Sequence, residues 1–151
     1  MPAVQEVVQE LVRLLAAPDS AEVAELEAAA RAAMALQRGG PARLTEVAPV
    51  ADWAALVDEQ RVWVATLDQV VVGYLELLVT ATIAEVRQVY VHPEARELGF
   101  GDEMLAAARE AARLAGCTAL EGTALPGDRD TKNLYERAGI VARKIVLSTP
   151  L

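Results

Sequence analysis

Apolar and polar positions follow two rhythms along this chain, and glycine or proline stands at most places where one gives way to the other. Residues 11–16 form a short apolar run that reads as a first strand, closed by Pro18-Asp19-Ser20. Asp19 and Ser20 are both good helix caps, and Glu22 adds negative charge to a first turn. Val23, Leu26, Ala30 and Ala33 then recur at helical spacing until Gly39-Gly40-Pro41 stops them. Residues 52–60 read as a short second helix with Trp53, Leu56 and Val57 on its apolar side. Residues 61–67 and 70–79 are rich in β-formers, and the Asp68-Gln69 pair between them marks a hairpin. Residues 85–91 read as a central strand, and 99–115 as a long alanine-rich helix stopped by Gly116. A strand over 117–123, a helix over 129–138 ended by Gly139, and a final strand over 141–148 complete the order β-α-α-β-β-β-α-β-α-β. No repeat and no long linker divides it, so residues 1–151 are expected to make a single domain. The first several residues read as a loose extension or a short helical turn.

Composition narrows the class. At 54% apolar residues the chain has ample material for one core and too much for disorder. Its longest apolar run, residues 70–79, is interrupted by Gly73 and Glu76, so no membrane span or membrane partner is expected. No basic stretch followed by an apolar core opens the chain, which argues against a signal peptide. Cys117 is the only cysteine, so no internal disulfide can form, and a cytoplasmic location fits. A net charge of −8 opposes non-specific nucleic-acid binding. It would suit a cationic substrate, although solubility accounts for it as well. One histidine and one cysteine support neither a zinc cluster nor a Cys–His nucleophile, so no metal is expected.

Residues 86–101 carry the most chemistry. A β-branched run ends at Pro93, and Arg96-x-x-Gly99-x-Gly101 opens the long helix. N–H groups at a helix start lack intrahelical partners and carry partial positive charge, and glycine lets a phosphate approach them closely. The glycine spacing fits neither the dinucleotide fingerprint nor the P-loop, which needs Lys-Ser or Lys-Thr after its glycines.

Val91-x-Pro93-x-x-Arg96-x-x-Gly99-x-Gly101 is similar to the coenzyme A pyrophosphate signature of the GNAT superfamily of acyl-CoA-dependent N-acetyltransferases. Val71-Val72-Gly73-Tyr74 and Leu134-Tyr135-Glu136-Arg137-Ala138-Gly139-Ile140 resemble two further family segments, and the likeness spans nearly the whole chain. It implies an α+β fold with a mixed, mostly antiparallel sheet flanked by helices. It also implies acetyl-CoA as co-substrate, and a primary amine of a small molecule or peptide that attacks directly in a ternary complex. N–H groups of Glu97, Leu98, Gly99, Phe100, Gly101 and Asp102, beside Arg96, would cradle the pyrophosphate. Val89, Tyr90 and Val91 would bond the pantetheine arm through their main chain, which requires the fourth and fifth strands to splay, often with a bulge on the fourth. Tyr135 matches the family tyrosine that protonates the departing thiolate; packing helix against sheet is its other reading. Glu85 matches a catalytic glutamate of histone-acetylating relatives, and a solvated charge at a strand end is its alternative. Asp128 stands where many members carry a coenzyme-contacting asparagine. It would repel phosphates and suits a turn or cap, while Asn133 and Arg129 are neighbours that could take over the contact. Relatives often dimerise around the last strand, so a homodimer is expected. A non-catalytic acyl-CoA-binding module is the second reading, and a transferase acting on protein N-termini or lysines is a third, favoured by an acidic groove beside Glu85 and Glu121.

Other residues remain open on the sequence. Glu76 and Glu121 are rival carboxylates within β runs, and each needs water, a cleft or a partner. Tyr74 and Tyr90 either line the same cleft or pack. His92 lies at the pyrophosphate end and reads as a surface residue, and Cys117 as packing. Trp53 either closes the acceptor site or anchors the core. Acceptor specificity falls to residues 38–60.

Overall fold

The computed structural model describes residues 11–151, so the reading of the first several residues lies outside it. Five strands form one sheet in sequence order: β1 Val12–Leu14, β2 Val62–Leu67, β3 Val70–Thr80, β4 Ile83–Val91 and β5 Ala119–Gly122. Neighbours are antiparallel except β4 and β5, which run parallel. Among the described residues four α-helices accompany them: α1 Ser20–Ala35, α2 Gly40–Glu46, α3 Phe100–Leu114 and α4 Arg129–Arg137. This is the mixed, mostly antiparallel α+β architecture expected.

Side-chain alternation sorts the core onto the two sheet faces. Trp63, Ala65, Leu75, Leu77, Ala84 and Val86 pack with Phe100, Met104, Leu105, Ala108 and Ala112 of α3 and with Leu134 and Tyr135 of α4. The α3 positions repeat at helical spacing, which gives the helix one apolar stripe for the sheet. On the opposite face, Val62, Val64 and Tyr74 pack with Val23 and Leu26 of α1 and with Trp53. The β2–β3 hairpin turns through Asp68 and Gln69, both at positive φ (51° and 67°), as a two-residue primed turn requires.

Three elements depart from the sequence expectation, two of them between β1 and β2. Gly39-Gly40-Pro41 ends one helix and starts another, because Gly39 takes φ +82° and Pro41 falls in the first turn of α2. Proline early in a helix is itself a start signal, so the motif carried both meanings. The second predicted helix is a 3-10 segment, Trp53–Glu59, capped by Asp52.

The expected final strand over 141–148 does not form. Val141, Ile145, Val146 and Leu147 are exposed, and the segment joins no ladder. Its side-chain tie to the sheet is Arg143 to Glu121 at 2.9 Å. Strand preference expresses packing against neighbours, and the segment has no paired neighbour among the described residues.

Candidate active site at a fork in the sheet

Parallel pairing of β4 with β5 covers four residues only, from Ile83↔Ala119 to Val86↔Gly122. Beyond Val86 the two strands part, while β4 stays paired with β3 as far as Gly73↔Val91. The splay expected of strands four and five is therefore present. A bulge sits at the same place: Glu76 pairs with Gln88 and Leu77 with Val86, which leaves Arg87 as the extra residue on β4. Its consequence shows in the side chains. Arg87 Nε lies 4.0 Å from Glu76 Oε1, and Gln88 Nε2 donates to the same oxygen at 3.0 Å. Two consecutive residues thus reach one carboxylate, which a regular strand would prevent by sending them to opposite faces.

Main-chain groups on the far side of β4 face the fork. His92 N–H donates to Val72 O at 2.7 Å, so by alternation Tyr90 also turns its main chain to β3. Val89 and Val91 then direct theirs to the open side. Arg96 Nε donates to Val91 O at 3.0 Å, consistent with that direction.

Tyr135 sits in the crotch of the fork. Its ring is buried, and a Cβ on Gly122, the last paired residue of β5, would collide with the Tyr135 hydroxyl and ring. Burial holds the phenol well above its ordinary pKa; the Glu85 and Asp128 charges push the same way, and Arg43 opposes them. Tyr135 is therefore a protonated donor at neutral pH. An open cleft of about 410 Å³ spreads from it, lined by residues of α1, α2, the β4 bulge, the segment after β5 and α4, including Arg43, Arg87 and Asp128.

Glu85 lies one residue before the fork, partly exposed, with Arg43 Nη2 3.8 Å from Oε1. Glu121 is paired with Arg143. Glu76 is buried, and its carboxyl is pushed up chiefly by desolvation, with Gln88 and Arg87 acting against the shift. Gln88 joins it to a second buried carboxylate: Nε2 also donates to Glu27 Oε2 at 2.8 Å, while Tyr74 Oη donates to Gln88 Oε1 at 3.0 Å. Nothing in the sequence pattern pointed to Glu27, which is the one buried acid within α1. Tyr74 both packs and lines a cleft, and Tyr90 stands 6.4 Å from it, ring to ring. Trp53 is a core anchor against Tyr74, 5.4 Å centroid to centroid.

The loop from β4 to α3 holds the corner at which the sequence predicts an anion site. His92 Nδ1 accepts from Glu94 N–H at 3.1 Å and so caps a short 3-10 turn over Pro93–Ala95. Glu97 and Gly99 follow at φ +68° and +88°. Gly99 is the N-cap of α3 and provides no side chain to cover the helix start. Among the described residues, none of the N–H groups of residues 97–102 finds a partner, so the corner can receive an anion. Arg96 is tied to Val91 O and to Asp130 at 2.9 Å, and Asp102 to Arg137 at 3.0 Å. Their side chains brace the corner. Asp128 caps α4, accepting from Thr131 N–H at 3.1 Å and from Thr131 Oγ1 at 2.7 Å, as its turn-or-cap reading requires. Asn133 is exposed on α4, and no hydrogen bond ties it to the fork.

Fork, buried tyrosine and open helix start together make up the candidate site. The chain matches the model of the Acetyltransferase (GNAT) family over residues 22–140 and belongs to that family. Solved structures agree on the fold. An aminoglycoside N-acetyltransferase, AAC(6')-Iy, in complex with CoA superposes at TM-score 0.68 with 12% identity, covering 93% of this chain and 98% of that one. A ribosomal-protein-alanine N-acetyltransferase from Brucella melitensis biovar Abortus 2308 gives 0.63 at 20% identity, with 93% and 99% covered. A mutant of the BH1408 protein from Bacillus halodurans gives 0.72 at 18% identity, with 93% and 98% covered. No curated protein sequence matches the chain. Among the described residues no helix is long and apolar enough to cross a membrane, and no group of three or more His, Cys, Asp or Glu side chains could hold a metal ion.

Proposed function

We propose that this protein transfers an acetyl group from acetyl-CoA to a primary amine by direct attack in a ternary complex. The observation that carries the reading is the fork itself: β4 leaves β5 at Val86, with the Tyr135 hydroxyl at the point of parting. The N–H groups of Glu97, Leu98, Gly99, Phe100, Gly101 and Asp102 take the coenzyme diphosphate. The open edge of β4 at Val89 and Val91 takes the pantetheine amides. In the transfer an N–C bond forms as the C–S bond breaks. The Val89 N–H stabilises the oxyanion that develops, and Tyr135 gives its proton to the departing sulfur. Glu85, held beside Arg43, takes the amine proton directly or through water. Holding amine and thioester together supplies much of the acceleration.

The test is thiol release from acetyl-CoA across a panel of primary amines, with calorimetry for coenzyme binding. Turnover that falls at least about tenfold in Tyr135→Phe, with coenzyme affinity kept, agrees with the assignment. Coenzyme binding without turnover across a broad panel would establish the non-catalytic module instead.

A further inference from the structure

Three arginines, Arg31, Arg43 and Arg87, gather at the acceptor end of the fork in a chain whose net charge is −8. Two clefts meet there and share Met34, Arg43, Arg87, Gln88 and Val89. The one beneath α1, about 370 Å³ and open to solvent, is lined by Arg31, Arg43 and Arg87, with no carboxylate among its lining residues. The other has a single one, Asp128, whose oxygens are committed to Thr131.

The three guanidiniums are not equally occupied. Arg31 caps the end of α2, donating to Val47 O at 2.6 Å and to Leu44 O at 3.3 Å. Arg43 makes one hydrogen bond, to Glu46 at 3.2 Å, and its other terminal nitrogen lies 3.8 Å from Glu85 Oε1. Arg87 makes no hydrogen bond among the described residues; it lies 4.0 Å from Glu76 Oε1, a loose ion pair too long for a hydrogen bond, and that oxygen already accepts from Gln88. A guanidinium carries donors in a planar fork that matches a carboxylate two bonds at a time. The bulge is what swings Arg87 onto the acceptor face, so backbone irregularity serves to place a cation there.

Resting on the transferase reading, we propose that the acceptor is an amine that also carries a carboxylate, such as a free amino acid, and that Arg87, with Arg43 beside it, pairs with that carboxylate. The arrangement serves the chemistry as well. An ammonium among guanidiniums is driven towards its neutral form, which is the nucleophile. A cationic peptide lysine would find no acidic groove here, because Glu121 is paired with Arg143 and Glu85 lies beside Arg43.

The experiment compares kcat/KM for glycine, leucine and methionine with their amides, each expressed per neutral amine. The acids should exceed the amides by at least about tenfold, the scale of a charge-assisted bidentate contact. Arg87→Gln should bring that ratio towards one, and Arg87→Lys should keep part of it, with melting curves confirming that both variants fold. Equal use of acids and amides by the unaltered protein would overturn the inference and leave the transferase reading intact. A binding arm needs no turnover: with CoA bound, N-acetylleucine should bind more tightly than N-acetylleucinamide, and the preference should vanish in Arg87→Gln. That result with no amine turned over would uphold the anion site and sink the transferase reading alone. Equal binding of both, or binding of neither, would sink the inference.

Discussion

Replacing Gly122 with alanine tests the fork at its narrowest point. Gly122 has no positive φ, so alanine brings no backbone strain, and the whole effect must come from space. The added Cβ would fall on the hydroxyl, Cζ and Cε1 of Tyr135. A free side-chain tip could swing away, but this ring is 6% exposed and packs in the α3–sheet core, so its neighbours must shift with it. Overpacking of that kind costs about 1–3 kcal/mol. Displacing the hydroxyl by about 1 Å should also lower turnover by about a hundredfold. Urea unfolding and thiol-release kinetics measure the two effects. Removing the ring first provides the control: in a Tyr135→Leu background, Gly122→Ala should cost less than about 0.5 kcal/mol, a coupling of roughly 1 kcal/mol or more between the two sites. Wild-type stability and turnover in Gly122→Ala would refute the placement of Tyr135 in the fork.

Two further predictions concern separate parts of the site. Burial raises the Glu76 carboxyl above its ordinary value, so the folded state binds its proton more tightly than the unfolded chain does. The Glu76 contribution to stability should therefore fall as pH climbs from the ordinary carboxylate range through the raised folded value; in Glu76→Gln that decline should disappear, and urea midpoints that keep the same slope between pH 4 and 8 would contradict it. Gly99→Ala places a Cβ on a residue at φ +88°, which costs about 1–2 kcal/mol, and should weaken coenzyme binding in calorimetry; unchanged melting and affinity would show that the corner does not need its left-handed residue.

Much of the site was legible because it is local. The Gly99 corner, the Asp68-Gln69 hairpin and the capping of α4 by Asp128 each depend on a few adjacent residues whose backbone preferences are strong. Glu27 was not legible: an acid in an alanine-rich helix looks solvated until the helix is docked, and only docking brings it to Gln88 and the Val50 N–H. Helix α2 is hidden for a different reason, since Gly39-Gly40-Pro41 both ends one helix and starts the next, and the stop signal is the stronger of the two.

The amino-acid order by itself determined most of the strands and the three longer helices, where the turns demand glycine, and the presence of an open helix start after β4. It could not determine the bulge at Arg87, the meeting of Gly122 with Tyr135, or the failure of 141–148 to join the sheet. The difference is one of range. Backbone preference is carried by neighbours along the chain, whereas register, close approach and strand recruitment are settled by segments far apart in sequence competing for the same space.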